Sequence, residues 1–183
     1  MNLLLMGGSL RPESLNQRFL LHLADQLAKA GQRVDTFHGE ALRLPLYQDG
    51  LPAPAGIANL TEQLLAAQGL VVVSPEYNAG IPGHLKNAAD WLSVQKPSPL
   101  AGLPVLLCAC SPGALGGARA LIQWRVTLAN TGAIVVPEAI SVPRADQNLD
   151  SEGAPLDGRT LDSVRSALAA FLSIAARLRP GQA

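Results

Sequence analysis

Gly8-Ser9-Leu10-Arg11-Pro12-Glu13-Ser14-Leu15-Asn16 stands between two patterns of opposite kind. Before it runs Leu3-Leu4-Leu5-Met6-Gly7, a short apolar stretch of strand length. After it, Phe19, Leu20, Leu23 and Leu27 share one face at helical spacing. The junction is therefore a strand-to-helix turn, and its side chains are the ones an anion needs. Backbone N–H groups at a helix N-terminus are unpaired and carry about half a positive charge. Ser9, Ser14 and Asn16 add neutral donors, and Arg11 adds a full charge in a forked geometry. The same residues also suit a plain turn capped by Ser14 with Arg11 in solvent, and both readings stand at this point.

Two familiar phosphate loops do not fit. A Walker loop needs Gly-Lys-Ser/Thr, and this stretch holds no lysine. A dinucleotide fingerprint needs G-x-G-x-x-G, and the glycines stop at Gly8.

The chain has 183 residues, the size of one domain spanning 1–183. That length buries roughly 70% of the unfolded surface, so neither metal nor disulfide is required. Formal net charge is zero, which argues against a nucleic-acid binder and against an acidic electron carrier steered to basic partners. No apolar run approaches a membrane span, and the N-terminus lacks a charged-then-apolar leader, so the expected location is the cytoplasm. Cys108 and Cys110 lie two apart in a strand-like run and point to one face, which suits buried free thiols better than a bridge. His22, His38 and His84 show no ligand spacing, so no metal is expected.

Strand and helix patterns alternate along the chain. Strands are expected at Asn2–Gly7, Arg33–Phe37, Leu70–Ser74, Val105–Ser111 and Ile134–Val142. Helices are expected at Ser14–Ala30, Ile57–Gln68, Gly83–Val94, Gly117–Thr131 and from Gly158 to about Leu178. The stretches 39–56 and 143–158 read as irregular. Alternation implies a parallel sheet with helices on both faces. The third and fourth strands are apolar on both faces and belong in the middle. Arg33-Val34-Asp35-Thr36-Phe37 alternates, so it has one wet face and is an edge, and the fifth strand carries Pro137, which is tolerated at an edge or a bulge. The order 2-1-3-4-5 follows, a flavodoxin-like three-layer sandwich. In such a sheet ligands bind beyond the strand carboxyl ends, where the order reverses between strands one and three. The loops there are glycine- and proline-rich: Ser74-Pro75-Glu76-Tyr77-Asn78-Ala79-Gly80-Ile81-Pro82-Gly83 and Ser111-Pro112-Gly113-Ala114-Leu115-Gly116-Gly117. Such backbones hold rigid N–H and C=O groups along the rim of a flat heterocycle.

These stretches resemble one family. Gly8-Ser9-Leu10-Arg11-x-x-Ser14-x-Asn16 is similar to the phosphate loop of the NADPH-dependent FMN reductases, the flavodoxin-like group that includes quinone and chromate reductases. Ser74-Pro75-Glu76-Tyr77-Asn78 with Gly80-Ile81-Pro82-Gly83-His84-Leu85-Lys86-Asn87-Ala88-Ala89-Asp90-Trp91-Leu92-Ser93 resembles its second motif, and Ser111-x-Gly113-x-x-Gly116-Gly117-x-Arg119 its third. Leu44-Pro45-Leu46-Tyr47 is similar to its stretch after strand two. The resemblance implies bound FMN, with NADPH or NADH as co-substrate. It implies that Ser9, Arg11, Ser14 and Asn16, with backbone from Leu10 to Leu15, hold the phosphate. It further implies that Pro75, Glu76, Tyr77 and Asn78 border the isoalloxazine, and that Ser111 touches it from the third loop. Hydride chemistry would belong to the flavin, with no side chain as an essential general acid or base.

The expected function is electron transfer from a nicotinamide to a quinone, free flavin, chromate or similar small acceptor. A flavodoxin-type carrier is disfavoured by neutral charge and by Arg11. A non-catalytic module that binds another phosphate ligand is the third reading. Trp91 is read as core or interface, Lys86 and Asp90 as a surface pair, and Trp124 and Arg125 carry no assigned chemistry. Apolar residues around Trp91 and Leu92, with the proline-rich loop 42–55, suggest a homodimer or homotetramer.

Overall fold

Alternate residues of the central strands face opposite layers, and that alternation sets the architecture. A computed structural model describes residues 1–11 and 13–178. The strands β1 (Asn2–Gly7), β2 (Arg33–His38), β3 (Gly69–Val73), β4 (Pro104–Cys110) and β5 (Ile134–Val142) form one sheet in the order β2-β1-β3-β4-β5. Every pairing is parallel, as the strand compositions lead one to expect. β3 and β4 are buried throughout, whereas β2 is largely exposed.

Among the described residues six α-helices accompany the sheet: α1 (Leu15–Lys29), α2 (Ala55–Ala66), α3 (Gly83–Ser93), α4 (Ala118–Asn130), α5 (Ala145–Asn148) and α6 (Gly158–Leu178). Leu3, Leu5, Val71, Val73, Leu106 and Cys108 meet α1 and α6 through Phe19, Leu23, Val164 and Phe171. Leu4, Met6, Leu70, Val72, Val105 and Leu107 meet α2, α3 and α4 through Leu60, Leu64, Leu85 and Trp124. Each fully buried aromatic or aliphatic side chain contributes roughly 1.5–3 kcal/mol. Among the described residues no helix is long and apolar enough to cross a membrane.

Two features depart from the sequence reading, and a third bears it out. The stretch 39–56 begins with a 3₁₀ turn at Gly39–Leu42. Its segment 44–47 is docked on α3: the Trp91 indole N–H donates to Pro45 O at 2.8 Å, and the Asn87 carboxamide donates to Pro45 O and accepts from Tyr47 N. α5 interrupts the stretch 143–158. Pro137, which suited an edge or a bulge, sits at both: β5 is an edge strand, and the register shifts so that Val105 pairs with Val135 while Leu107 pairs with Ala139. Proline cannot supply a ladder N–H, and the carbonyls freed there are taken up by Arg125. Its guanidinium donates to Val136 O, Pro137 O and Glu138 O at 2.8, 2.7 and 3.3 Å.

Trp91 and Leu92 are 2% and 1% exposed and packed within the chain, so of the two readings given for Trp91 the core one holds.

Candidate functional site

At the carboxyl end of the sheet β1 and β3 run so close that a Cβ on Gly7 would lie 1.9 Å from Val73 O. Only glycine fits, at φ +140°, and the chain turns at once. Gly8 N–H closes the turn on Val73 O at 2.7 Å. Beyond this point the loops after β1, β3 and β4 enclose a cavity of about 300 Å³. Its walls are Ser9, Arg11, Ser14, Leu15, Asn16, Pro75, Glu76, Tyr77, Cys110, Ser111 and Pro112.

The first loop leaves its donors open. Ser14 is the N-cap of α1, and its hydroxyl accepts from Gln17 N–H at 3.0 Å, so its own proton is free to donate elsewhere. The amides of Leu15 and Asn16, the first two of α1, have no partner among the described residues. The Arg11 side chain is exposed and makes no ion pair with a described residue. Asn16 behaves differently from the open donors. Its buried carboxamide exchanges two hydrogen bonds with the backbone of Cys110, at 2.8 and 3.0 Å, stapling α1 to the end of β4. One amide hydrogen of that side chain remains uncommitted.

The second loop closes on itself. Tyr77 and Gly80 exchange backbone hydrogen bonds at 3.1 and 2.9 Å across a tight turn. Asn78 and Ala79 take φ values of +49° and +63° there, which is the primed turn type. Gln123 of α4 pins the tip, donating to Ala79 O and accepting from Ile81 N–H. Glu76, its side chain only 8% exposed, is chelated by the Arg119 guanidinium and also accepts from the amides of Arg119 and Ala120. Burial pushes its pKa up, but the Arg119 hydrogen bonds and the α4 amides outweigh this, so the carboxyl ionises below its ordinary range. Glu76 thus caps α4 from a distance, at the end where the helix dipole favours an anion. The Tyr77 hydroxyl meets Ser9 Oγ at 2.9 Å and joins the second loop to the first.

In the third loop Ser111 Oγ accepts from Gly113 N–H at 3.0 Å. Cys110, just before it, is 1% exposed, and burial pushes its thiol up to about 12. Cys108 is raised further by burial. Both are free thiols, as expected from their spacing, and both stay protonated at neutral pH.

Of the eleven residues singled out from sequence, nine stand on the cavity: Ser9, Arg11, Ser14, Leu15, Asn16, Pro75, Glu76, Tyr77 and Ser111. Two do not. The Leu10 side chain packs on the core, and Asn78 occupies the exposed turn. Sequence reasoning missed Cys110 and Pro112 as walls, although they flank Ser111. It also gave Arg119 no role, although the third motif contains it. A free cation, a free hydroxyl proton and two orphan amides at one end of a crevice fit a phosphate, and the rigid second and third loops fit the edges of a flat ring.

A model of the NADPH-dependent FMN reductases matches residues 1–147. The chain is 38% identical over 172 residues to a quinone reductase of Escherichia coli, covering 90% of this chain and 89% of the relative. It is 31% identical over 179 residues to an NAD(P)H-dependent FMN reductase of Pseudomonas aeruginosa, covering 95% of each. Among solved structures, the flavoenzyme NAD(P)H:(acceptor) oxidoreductase FerB of Paracoccus denitrificans superposes with a TM-score of 0.82 at 26% identity, covering 96% of this chain and 97% of that one. The chain belongs to the NADPH-dependent FMN reductase family and is an NAD(P)H-dependent flavin oxidoreductase.

Proposed function

We propose that the cavity seats FMN with its phosphate on the first loop and its ring between the second and third, and that the electrons pass to a quinone or a similar small oxidant. One observation carries the seating: the hydroxyl, amide and guanidinium donors left open on the first loop converge at the N-terminus of α1, while the Glu76 carboxylate and the Tyr77, Gly80 and Ile81 amides of the second loop are engaged within the protein. Ser9, Ser14, Arg11 and the amides of Leu15 and Asn16 would hold the phosphate. Leu10 would contribute backbone only. Pro75, Glu76, Tyr77, Asn78 and Ser111 would border the ring, with Asn78 shaping the turn. The bound flavin supplies hydride acceptance from the nicotinamide.

The chain's own part is placement. Glu76 is held ionised by Arg119 and cannot readily take part in proton transfer. The Tyr77 hydroxyl is engaged with Ser9. Neither is arranged as a general acid or base, so both serve as walls. A quinone acceptor is supported by the quinone reductase relative; free flavin and chromate remain acceptors to be compared. Steady-state NAD(P)H oxidation against a panel of these acceptors tests the reading. A quinone should give the highest kcat/KM, and a preference for free flavin would overturn that choice.

A homodimer or homotetramer in the cytoplasm completes the proposal. α4 turns Ile122 and Val126, 64% and 71% exposed, outward beside its buried stripe, and Leu115 is 54% exposed just ahead of it. Exposed apolar residues so placed form a patch that suits burial against a second subunit, beside the polar Arg119 and Gln123. Free thiols suit a reducing compartment. Sedimentation at micromolar concentration would show a monomer if the subunit reading is wrong.

A further inference from the structure

His84 is the second residue of α3 and is half-buried between the first two loops. Its Nε2 lies 3.2 Å from Gly8 O. Its ring leans on Tyr77, with centroids 6.1 Å apart and planes tilted by 55°. Tyr77 in turn holds Ser9 Oγ, which accepts from Arg11 N–H at 3.2 Å. The imidazole therefore closes a ring of contacts around the Gly8–Ser9 peptide. His84 lies within the second motif, but no role is assigned to it there.

The peptide needs holding. Gly7 and Gly8 sit at φ +140° and +81°, and glycine rotates about such bonds at little steric cost. In a planar trans peptide the C=O and the following N–H point in opposite directions. Fixing Gly8 O against His84 therefore turns Ser9 N–H the other way. Ser9 lines the cavity, is 7% exposed, and its amide has no partner among the described residues. A rotated peptide would offer an anion a carbonyl oxygen in place of a donor.

The geometry points to His84 as a positioning residue that locks the Gly8–Ser9 peptide with its N–H available to the ligand phosphate. A carbonyl can only accept, so Nε2 must carry the proton. Burial lowers the proton affinity of the ring more than the Gly8 bond raises it, which keeps the imidazole neutral and the tautomer meaningful. The lock rests on the reading of the first loop as the FMN phosphate cradle.

The test is the affinity of the apoprotein for FMN and for riboflavin, which lacks the phosphate, read by quenching of flavin fluorescence. His84→Phe keeps a ring against Tyr77 but cannot donate. It should weaken FMN roughly threefold to tenfold and leave riboflavin unchanged. His84→Gln, which can donate to Gly8 O, should recover most of the loss. Equal weakening of both flavins, or none, would overturn the lock. Wild-type protein binding both flavins alike would instead overturn the cradle itself. Should His84→Phe not fold, the imidazole ¹⁵N spectrum of the wild-type apoprotein decides: an Nε2–H tautomer supports the lock, and an Nδ1–H tautomer rules it out.

Discussion

The first and second loops lie side by side on one cavity and settle their hydrogen bonds in opposite ways. The second loop spends most of its charged and turn groups on the protein: the Glu76 carboxylate on Arg119 and α4, Tyr77 on Gly80 and Ser9, and Ala79 O and Ile81 N–H on Gln123. The first loop leaves Arg11 and the amides of Leu15 and Asn16 open. Buried polar groups are normally paired, so open donors at a cavity mark where a ligand completes the structure. The satisfied loop is a wall and the open loop is a hand. Substitutions in the two should therefore fail in different assays.

The largest effect is expected from Arg11→Ala. Loss of a charged hydrogen bond, about 1.5–3 kcal/mol, should weaken FMN roughly tenfold to a hundredfold or slightly more, without changing apoprotein Tm. An unchanged Kd would place Arg11 in solvent. Arg119→Ala should do the reverse. Freed of its partner, Glu76 keeps only the α4 amides, and the apoprotein should lose roughly 1–2 kcal/mol, or about 2–8 °C in Tm. Equal Tm values for wild type and variant would show that the chelate adds nothing.

Glu76 also sets an acid limit. Its folded pKa is depressed, so its contribution is present above the ordinary carboxyl value and is lost as pH falls through the folded one. Wild-type stability should decline below about pH 4.5 more steeply than that of Glu76→Gln. Parallel acid limbs in urea titrations would remove Glu76 from the explanation. In single-turnover reduction by NAD(P)H with FMN saturating, Glu76→Gln should keep most of the rate. A loss of a hundredfold or more would make Glu76 an acid–base catalyst instead.

The smallest effect concerns the turn that shapes the wall. Ala79 holds φ +63°, a left-handed conformation that costs an alanine about 1 kcal/mol. Ala79→Gly should raise Tm by a few degrees, less if added chain entropy offsets the relief. A lower Tm would mean that the methyl group packs usefully.

What could be read in the chain, and what could not, follows the range of the interactions. The order of the sheet was legible because burial on one or two faces is written into each strand, as in Leu70-Val71-Val72-Val73 against Arg33-Val34-Asp35-Thr36-Phe37. The Ser14 cap was legible because its partner is three residues away. Gly39–Leu42 and Ala145–Asn148 are too short to show a period. Asn16 looked like a free donor because its partner, Cys110, is 94 residues distant. Glu76–Arg119 and Gln123–Ala79 also span more than forty residues; that Glu76 fixes the loop or pairs with a basic residue could be read, but not which residues hold it. The cover over Trp91 was hidden for the same reason: Pro45 and Tyr47 lie far along the chain.

The most direct measurement compares backbone amide shifts of the protein loaded with FMN and with riboflavin. The phosphate is the difference between the two ligands. The amide protons of Leu15 and Asn16 should move downfield with FMN relative to riboflavin, while those of Tyr77, Gly80, Arg119 and Ala120, already bonded within the protein, should coincide. Coincident Leu15 and Asn16 signals, or a difference confined to the second loop, would contradict the assignment of the phosphate to the first.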